Sequence, residues 1–213
     1  MDDLTAALAA GDESTRLKAA LAIGSNPEPD LLDAVLARCA IEPDFYVRDM
    51  LTWALTRFPS EITVPRLLAE LHSECAQARS QALHTLSKIR DAAAWPAITR
   101  ALLRDSDDEV ARSAWRAAVV LVPAGQERDL AEELAAQFGR GDHDVQLSLS
   151  RALIALGEEV VVPALRKALA SDDPRVRAHA SATERLLHEP DAASERAVKE
   201  AKRVFVLGRP KGD

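Results

Sequence analysis

Apolar residues along this chain fall three and four positions apart, in stretches broken by short polar turns, which is the pattern of amphipathic helices packed through one side. One stretch carries Leu67, Leu68 and Leu71, a polar turn follows at Ser73 to Gln77, and the next carries Ala82, Leu83 and Leu86. The same order returns with Ile98, Leu102 and Leu103, the turn Asp105-Ser106-Asp107-Asp108, then Val110, Ala114, Trp115 and Ala118. It returns again with Leu165, Ala168 and Leu169, the turn Ser171-Asp172-Asp173-Pro174, then Val176, Ala180 and Leu187. Aligning the second helix of each unit places Arg16, Arg48, Arg79, Ala111, Gln146 and Arg177 at one position, with steps of 32, 31, 32, 35 and 31 residues. A period of that size is the mark of stacked helical repeats. The expected fold is all-α, a right-handed α-solenoid of about six helix pairs.

Pro65, Pro96 and Pro163 are expected to open the first helix of their units, because proline at a helix start forfeits no hydrogen bond. The Ser and Asp clusters supply oxygens that cap the second helix. Pro163-Ala164-Leu165 followed by an acidic turn and Val176-Arg177-Ala178 resembles the HEAT repeat of the bacterial, phycobilisome-lyase-like type, and the resemblance spans about residues 4–187. It implies that an acidic residue of the turn and the arginine of the second helix link neighbouring repeats, with Arg48, Arg79 and Arg177 as structural rungs. The fifth unit departs from the pattern, with Val145-Gln146 in place of Val-Arg. Its longer step needs extra residues near Pro123 to Gly125 or Gly139 to Asp142, where the superhelix is expected to bend.

On the second helix, residues three, four and seven positions after the arginine lie near it in angle and should be buried. The residue five positions on lies opposite, at about 100° per residue. The resemblance implies that these helices line a concave groove, so the opposite-face row should run along it: Leu21, Trp53, His84, Arg116, Arg151 and Ala182. Neighbouring rows add Arg57 and Lys88, and Asp49, Ser80 and Arg112. The candidate partner-binding groove is therefore Trp53, His84, Arg116, Arg151, Arg57, Lys88, Asp49 and Arg112. Trp115 falls on the buried side, and Trp95 before Pro96 reads as a staple at a helix start.

Charge sharpens this picture. The formal net charge is -7, against a generic nucleic-acid or anionic-membrane binder, yet the groove's middle is aromatic and cationic. Residues 1–45 are acidic, and the end of the chain is basic through Arg196, Lys199, Lys202, Arg203, Arg209 and Lys211. Apolar residues at helical spacing from Ala197 to Phe205 suggest a last capping helix. The expected organisation is a repeat domain over 1–190 and a capping helix with a mobile tail over 191–213. The start Met1-Asp2-Asp3-Leu4 lacks the basic and apolar parts of a secretory signal, and no run is long enough for a bilayer. With only Cys39 and Cys75 as thiols, a bacterial cytoplasmic setting is expected, and Cys39 should be buried beside Leu32, Val35 and Leu36.

Catalytic patterns are sparse. His188-Glu189 is a single pair where HEAT-built iron hydroxylases need several. Asp142, His143 and Asp144 are adjacent in a loop and cannot close a metal sphere alone. The expectation is therefore a non-enzymatic scaffold or adaptor, with no cofactor, metal or membrane, whose groove binds an acidic or aromatic segment of another protein. The alternative is a DNA-binding or DNA-repair protein resembling the helical-repeat alkylpurine DNA glycosylases, with Asp49, Trp53, Arg116 and Arg151 in the groove.

Overall fold

The computed structural model describes residues 2–188, and every regular element among them is helical. The proposed capping helix and tail lie outside these residues. The chain divides into two compact units, residues 1–134 and 135–213. The first holds α1 (Asp2–Leu8), α2 (Glu13–Ser25), α3 (Leu32–Ile41), α4 (Phe45–Leu55), α5 (Ser60–Glu70), α6 (Ala76–Ile89), α7 (Arg100–Leu103), α8 (Asp108–Leu121) and nearly all of α9 (Glu127–Ala135). The second holds α10 (His143–Ala155), α11 (Glu158–Leu169) and α12 (Pro174–His188).

In the first unit the second helices of successive pairs, α2, α4, α6 and α8, pack side by side. Their buried stripes follow the expected register: Ala19, Ala20 and Ile23; Leu51, Thr52 and Leu55; Ala82, Leu83 and Leu86; Ala114, Trp115 and Ala118. Trp115 is wholly enclosed, and its indole N–H donates to the Leu103 carbonyl of α7 at 2.8 Å. Aspartates cap these helices, Asp12 on α2, Asp44 on α4 and Asp107 on α8, each accepting a backbone N–H from the first turn. Cys39 is buried on α3, and burial pushes its thiol up to about 12.

The first helices differ from expectation. α5 and α11 begin upstream at Ser60 and Glu158, so Pro65 and Pro163 sit inside them, exposed on the outer side. Acidic residues in the first turn, Glu61 on α5 and Glu158 and Glu159 on α11, favour the earlier start. In the fourth pair Pro96 lies in a 3-10 segment, Ala92–Ala97, and the α-helix proper is the short α7, capped by Thr99. Trp95 sits in that segment, with its indole N–H donating to Gln126 Oε1 at 3.1 Å.

The arginines form a recurring clamp. Nη1 of Arg16, Arg48, Arg79 and Arg177 each donates to two carbonyls of the turn just before its own helix: Ala10 and Gly11, Glu42 and Pro43, Ser73 and Glu74, Ser171 and Asp172. Two of them also reach a carboxylate 26 residues ahead, Arg16 to Glu42 and Arg79 to Asp105, each through two guanidinium nitrogens. Among the described residues, Arg79 is the one of the three expected rungs that crosses to the next repeat in this way. Arg48 and Arg177 tie down their own turns instead. Arg16, which the motif comparison did not single out, makes the more buried link.

Glu42 is fully buried and is the hub of this set. Its carboxylate accepts from Arg16, from Arg38 and from the Asp44 N–H, and its carbonyl accepts from Arg48 and Gln77. Burial alone would raise its pKa, but the bonds from Arg16 and Arg38 outweigh that and bring it down to about 2.

The second unit carries its own polar core. His179 is buried on α12, and the Gly139 N–H donates to its Nδ1 at 3.1 Å, leaving the ring proton on Nε2, 2.9 Å from the Gln146 carbonyl and 3.1 Å from Ser150 Oγ. Ser150 Oγ lies 2.7 Å from Thr183 Oγ1. Burial pushes the His179 pKa down against the pull of Gln146, so the ring is neutral. Gly139 has φ +83, a backbone that glycine adopts without strain, in the connection 136–142 leading to α10.

Glu42→Ala leaves two arginines facing a buried vacancy and should cost about 3–5 kcal/mol in denaturant unfolding. A depressed carboxylate contributes stability that is full above its unfolded pKa of 4.5 and is lost as pH falls toward about 2. The stability gap between wild type and Glu42→Gln should therefore narrow over that interval; a gap independent of pH would show that Glu42 is not held ionised by the arginines.

Candidate functional site

The row opposite the buried stripe is open to solvent. Leu21 on α2, Trp53 on α4 and Arg116 on α8 are exposed, and His84 on α6 is half-buried between them. Arg151 on α10 and Ala182 on α12 are also exposed, within the second unit. Two expected members of the surface fall elsewhere. Ser80 is buried, its hydroxyl 3.0 Å from Ser113 Oγ, because its position faces the neighbouring helix α8 rather than water. Arg57 lies beyond Leu55 in the connection to α5, so the register of α4 does not place it, although it is exposed.

Trp53 owes its position to a glycine. A methyl group built on Gly24 of α2 would lie 2.2 Å from Trp53 Cζ3 and 2.6 Å from Cε3. The six-membered ring of the indole thus packs where Gly24 of the neighbouring helix carries no side chain, with 38% of the tryptophan still open.

The electrostatics divide the surface. Burial, Arg116 and Lys88 all push the His84 pKa down, Asp49 pulls it up, and the net value is about 4. These are through-space effects of groups on α4, α6 and α8, so the structure brings Asp49, His84, Lys88 and Arg116 together. At neutral pH His84 is therefore uncharged. Arg112 is paired with Glu109 at 2.6 Å. Arg116 folds back onto the Arg112 carbonyl and Ser113 Oγ and makes no ion pair with a described residue, nor does Lys88. Burial and the nearby Arg112 lower the Arg116 pKa, as expected where cations are crowded. The α6–α8 side is consequently a cationic field with one neutral imidazole, and the α2–α4 side presents Leu21 and Trp53 together with the carboxylate of Asp49.

Sequence reasoning missed the other end of the apolar side. Phe45 and Tyr46 open α4 at 65% and 73% exposure, their rings edge to face with centroids 5.6 Å apart. Tyr46 stands seven residues before Trp53, hence about two turns along the same stripe of the helix. The spacing is present in the sequence, but a register that runs forward from Arg48 does not reach back into the first turn of the helix. A cleft of about 300 Å³ is lined by Arg48 of α4, Ala76, Gln77, Ser80 and Gln81 of α6, and Asp107 and Glu109 at the start of α8. Asp142 caps α10 through the Asp144 and Val145 N–H groups, so Asp142, His143 and Asp144 form the start of a helix rather than the expected loop. Among the described residues no cluster of three or more His, Cys, Asp or Glu could hold a metal ion, and no helix is long and apolar enough to cross a membrane.

These features define an all-α protein of stacked helical hairpins with a chemically uneven face on its second helices. Residues 32–119, α3 to α8, match the family model of HEAT repeats. Among solved structures, the complex of CpcE and CpcF of phycocyanin lyase from Nostoc sp. PCC7120 is similar at 23% identity, over 86% of this chain and 75% of that one, with a TM-score of 0.49. An engineered protein is similar at 23% identity, over 88% of this chain and 94% of its own, with a TM-score of 0.46. No curated protein matches the chain.

Two tryptophans separate packing from surface. Trp115→Ala should leave a cavity and cost about 3–5 kcal/mol, whereas Trp53→Ala should cost about 1 kcal/mol. Gly24→Ala should displace the Trp53 ring, measured as stronger acrylamide quenching of indole fluorescence. Equal losses for the two tryptophan variants in chemical denaturation would make Trp53 a core residue.

Proposed function

We propose that the protein is a non-enzymatic interaction module that captures an acidic, aromatic-bearing or aliphatic-bearing segment of another protein on the open face of α2, α4, α6 and α8. The observation that carries this reading is the juxtaposition of Leu21, Tyr46 and Trp53, apolar and exposed, with Lys88 and Arg116, cationic and without ion pairs among described residues. An exposed aromatic ring on a fixed seat supplies contact area at little cost in side-chain freedom. Unpaired cations beside it attract an anionic partner and set its orientation. HEAT repeats over residues 32–119 support an interaction role, since such stacks present extended surfaces. The reading keeps His84, Asp49 and Arg112 as the surroundings that tune this field, and Arg57 as a flanking cation. It gives Arg151 the same kind of contact on α10 in the second unit.

A partner captured from native lysate by the wild-type protein, once purified, should bind the Trp53→Ala, Arg116→Ala double variant about tenfold more weakly or worse. Arg151→Ala alone reports on the second unit. Unchanged affinity of the double variant, with unchanged circular dichroism, would remove this face as the binding surface.

A further inference from the structure

The aromatic pair on α4 says more about the shape of the occupant. Tyr46 and Trp53 are seven residues apart, which sets them about 10 Å apart along the helix axis and within about 20° of one another around it. Both are exposed. An extended strand advances about 3.3 Å per residue, so anchors at that separation would be three residues apart and would point to opposite sides of the strand. A helix lying along α4 has the same pitch and presents its own residues at i and i+7 on one stripe, in step with Tyr46 and Trp53.

Charge then fixes which helix. Asp49 stands between the two rings on the same stripe, so a carboxylate on the partner's apolar seam would meet a like charge. The partner's acidic residues are left to the flank that faces Lys88 and Arg116. Leu21, on the other side of Trp53, closes the apolar edge. Resting on the interaction reading above, the geometry points to an amphipathic helix as the occupant, lying along α4 with apolar residues at i, i+3 or i+4 and i+7 and carboxylates on the flank toward α6 and α8.

Two synthetic peptides of identical composition test this, each about four turns long if helical and labelled with a fluorophore. One carries leucines at i, i+4 and i+7 with glutamates on one flank; in the other the same residues alternate apolar and polar. Anisotropy titrations with the intact protein should show the first binding about tenfold more tightly or better and gaining helicity on binding. Tyr46→Ala and Trp53→Ala should each weaken it by about tenfold, and Lys88→Ala with Arg116→Ala should weaken it most at low salt. Tyr46 is an exposed side chain, so an unchanged melting temperature confirms that its variant is folded. Equal binding of the two peptides, no binding of either, an indifferent Tyr46→Ala, or displacement of the peptide by duplex DNA would each overturn the helical occupant. If Trp53 and Arg116 still govern capture of the natural partner while Tyr46 does not, the interaction face stands and only the helix falls.

Discussion

The structure of the first unit hangs on a buried carboxylate. Glu42 has no contact with water, so it is tolerable there only because Arg16 and Arg38 hold it and the Asp44 N–H completes its shell. Through Arg16 it joins the first repeat to the second, and its own carbonyl anchors Arg48 of the same repeat and Gln77 of the next. Asp105 repeats the device, accepting from Arg79 and from the Asp107 N–H, again 26 residues after the arginine and two before the capping aspartate. The sequence short form of this device is a carboxylate, one residue, then a capping Asp. It links turn geometry, helix capping and repeat stacking in a single set of bonds, so one substitution at Glu42 disturbs all three.

The turns and the interior are tied together by bonds that do not involve the outward row of the second helices. Ser80 and Ser113 bond across α6 and α8, and in the second unit Ser150, Thr183 and His179 do the same across α10 and α12. What stands outward on α4 includes Phe45, Tyr46, Asp49 and Trp53, and on α6 and α8 it includes His84, Lys88 and Arg116. Nothing in the stacking requires three exposed rings on α4. Gly24 even gives up its side chain to seat one of them. That arrangement is the physical basis for treating the face as a binding surface.

Much of this could be read before any coordinates. The period, the helix pairs, the enclosure of Trp115 and Cys39 and the exposure of Trp53 all follow from angular register, which is a local property that sequence spacing encodes directly. Helix starts were less legible: Pro65 and Pro163 suggested a beginning, but the acidic residues upstream carry the helix further back. The arginine links were half legible. Spacing located the arginines, while whether a carboxylate stood within reach depended on the following turn, where Glu42 and Asp105 qualify and Glu74 makes no bond to Arg48. Tyr46 was missed because it precedes the motif arginine. The seat on Gly24 was beyond reach, since it depends on how closely α2 and α4 approach.

Side-chain footprinting by hydroxyl radicals, with and without the natural partner, tests the account most directly because it reads both faces of the first unit in one experiment. Tyr46, Trp53, Leu21 and His84 should be protected, with the outer residues Pro65, Arg66 and Pro96 unchanged. Protection confined to the outer residues, with Tyr46 and Trp53 as reactive as in the free protein, would contradict it.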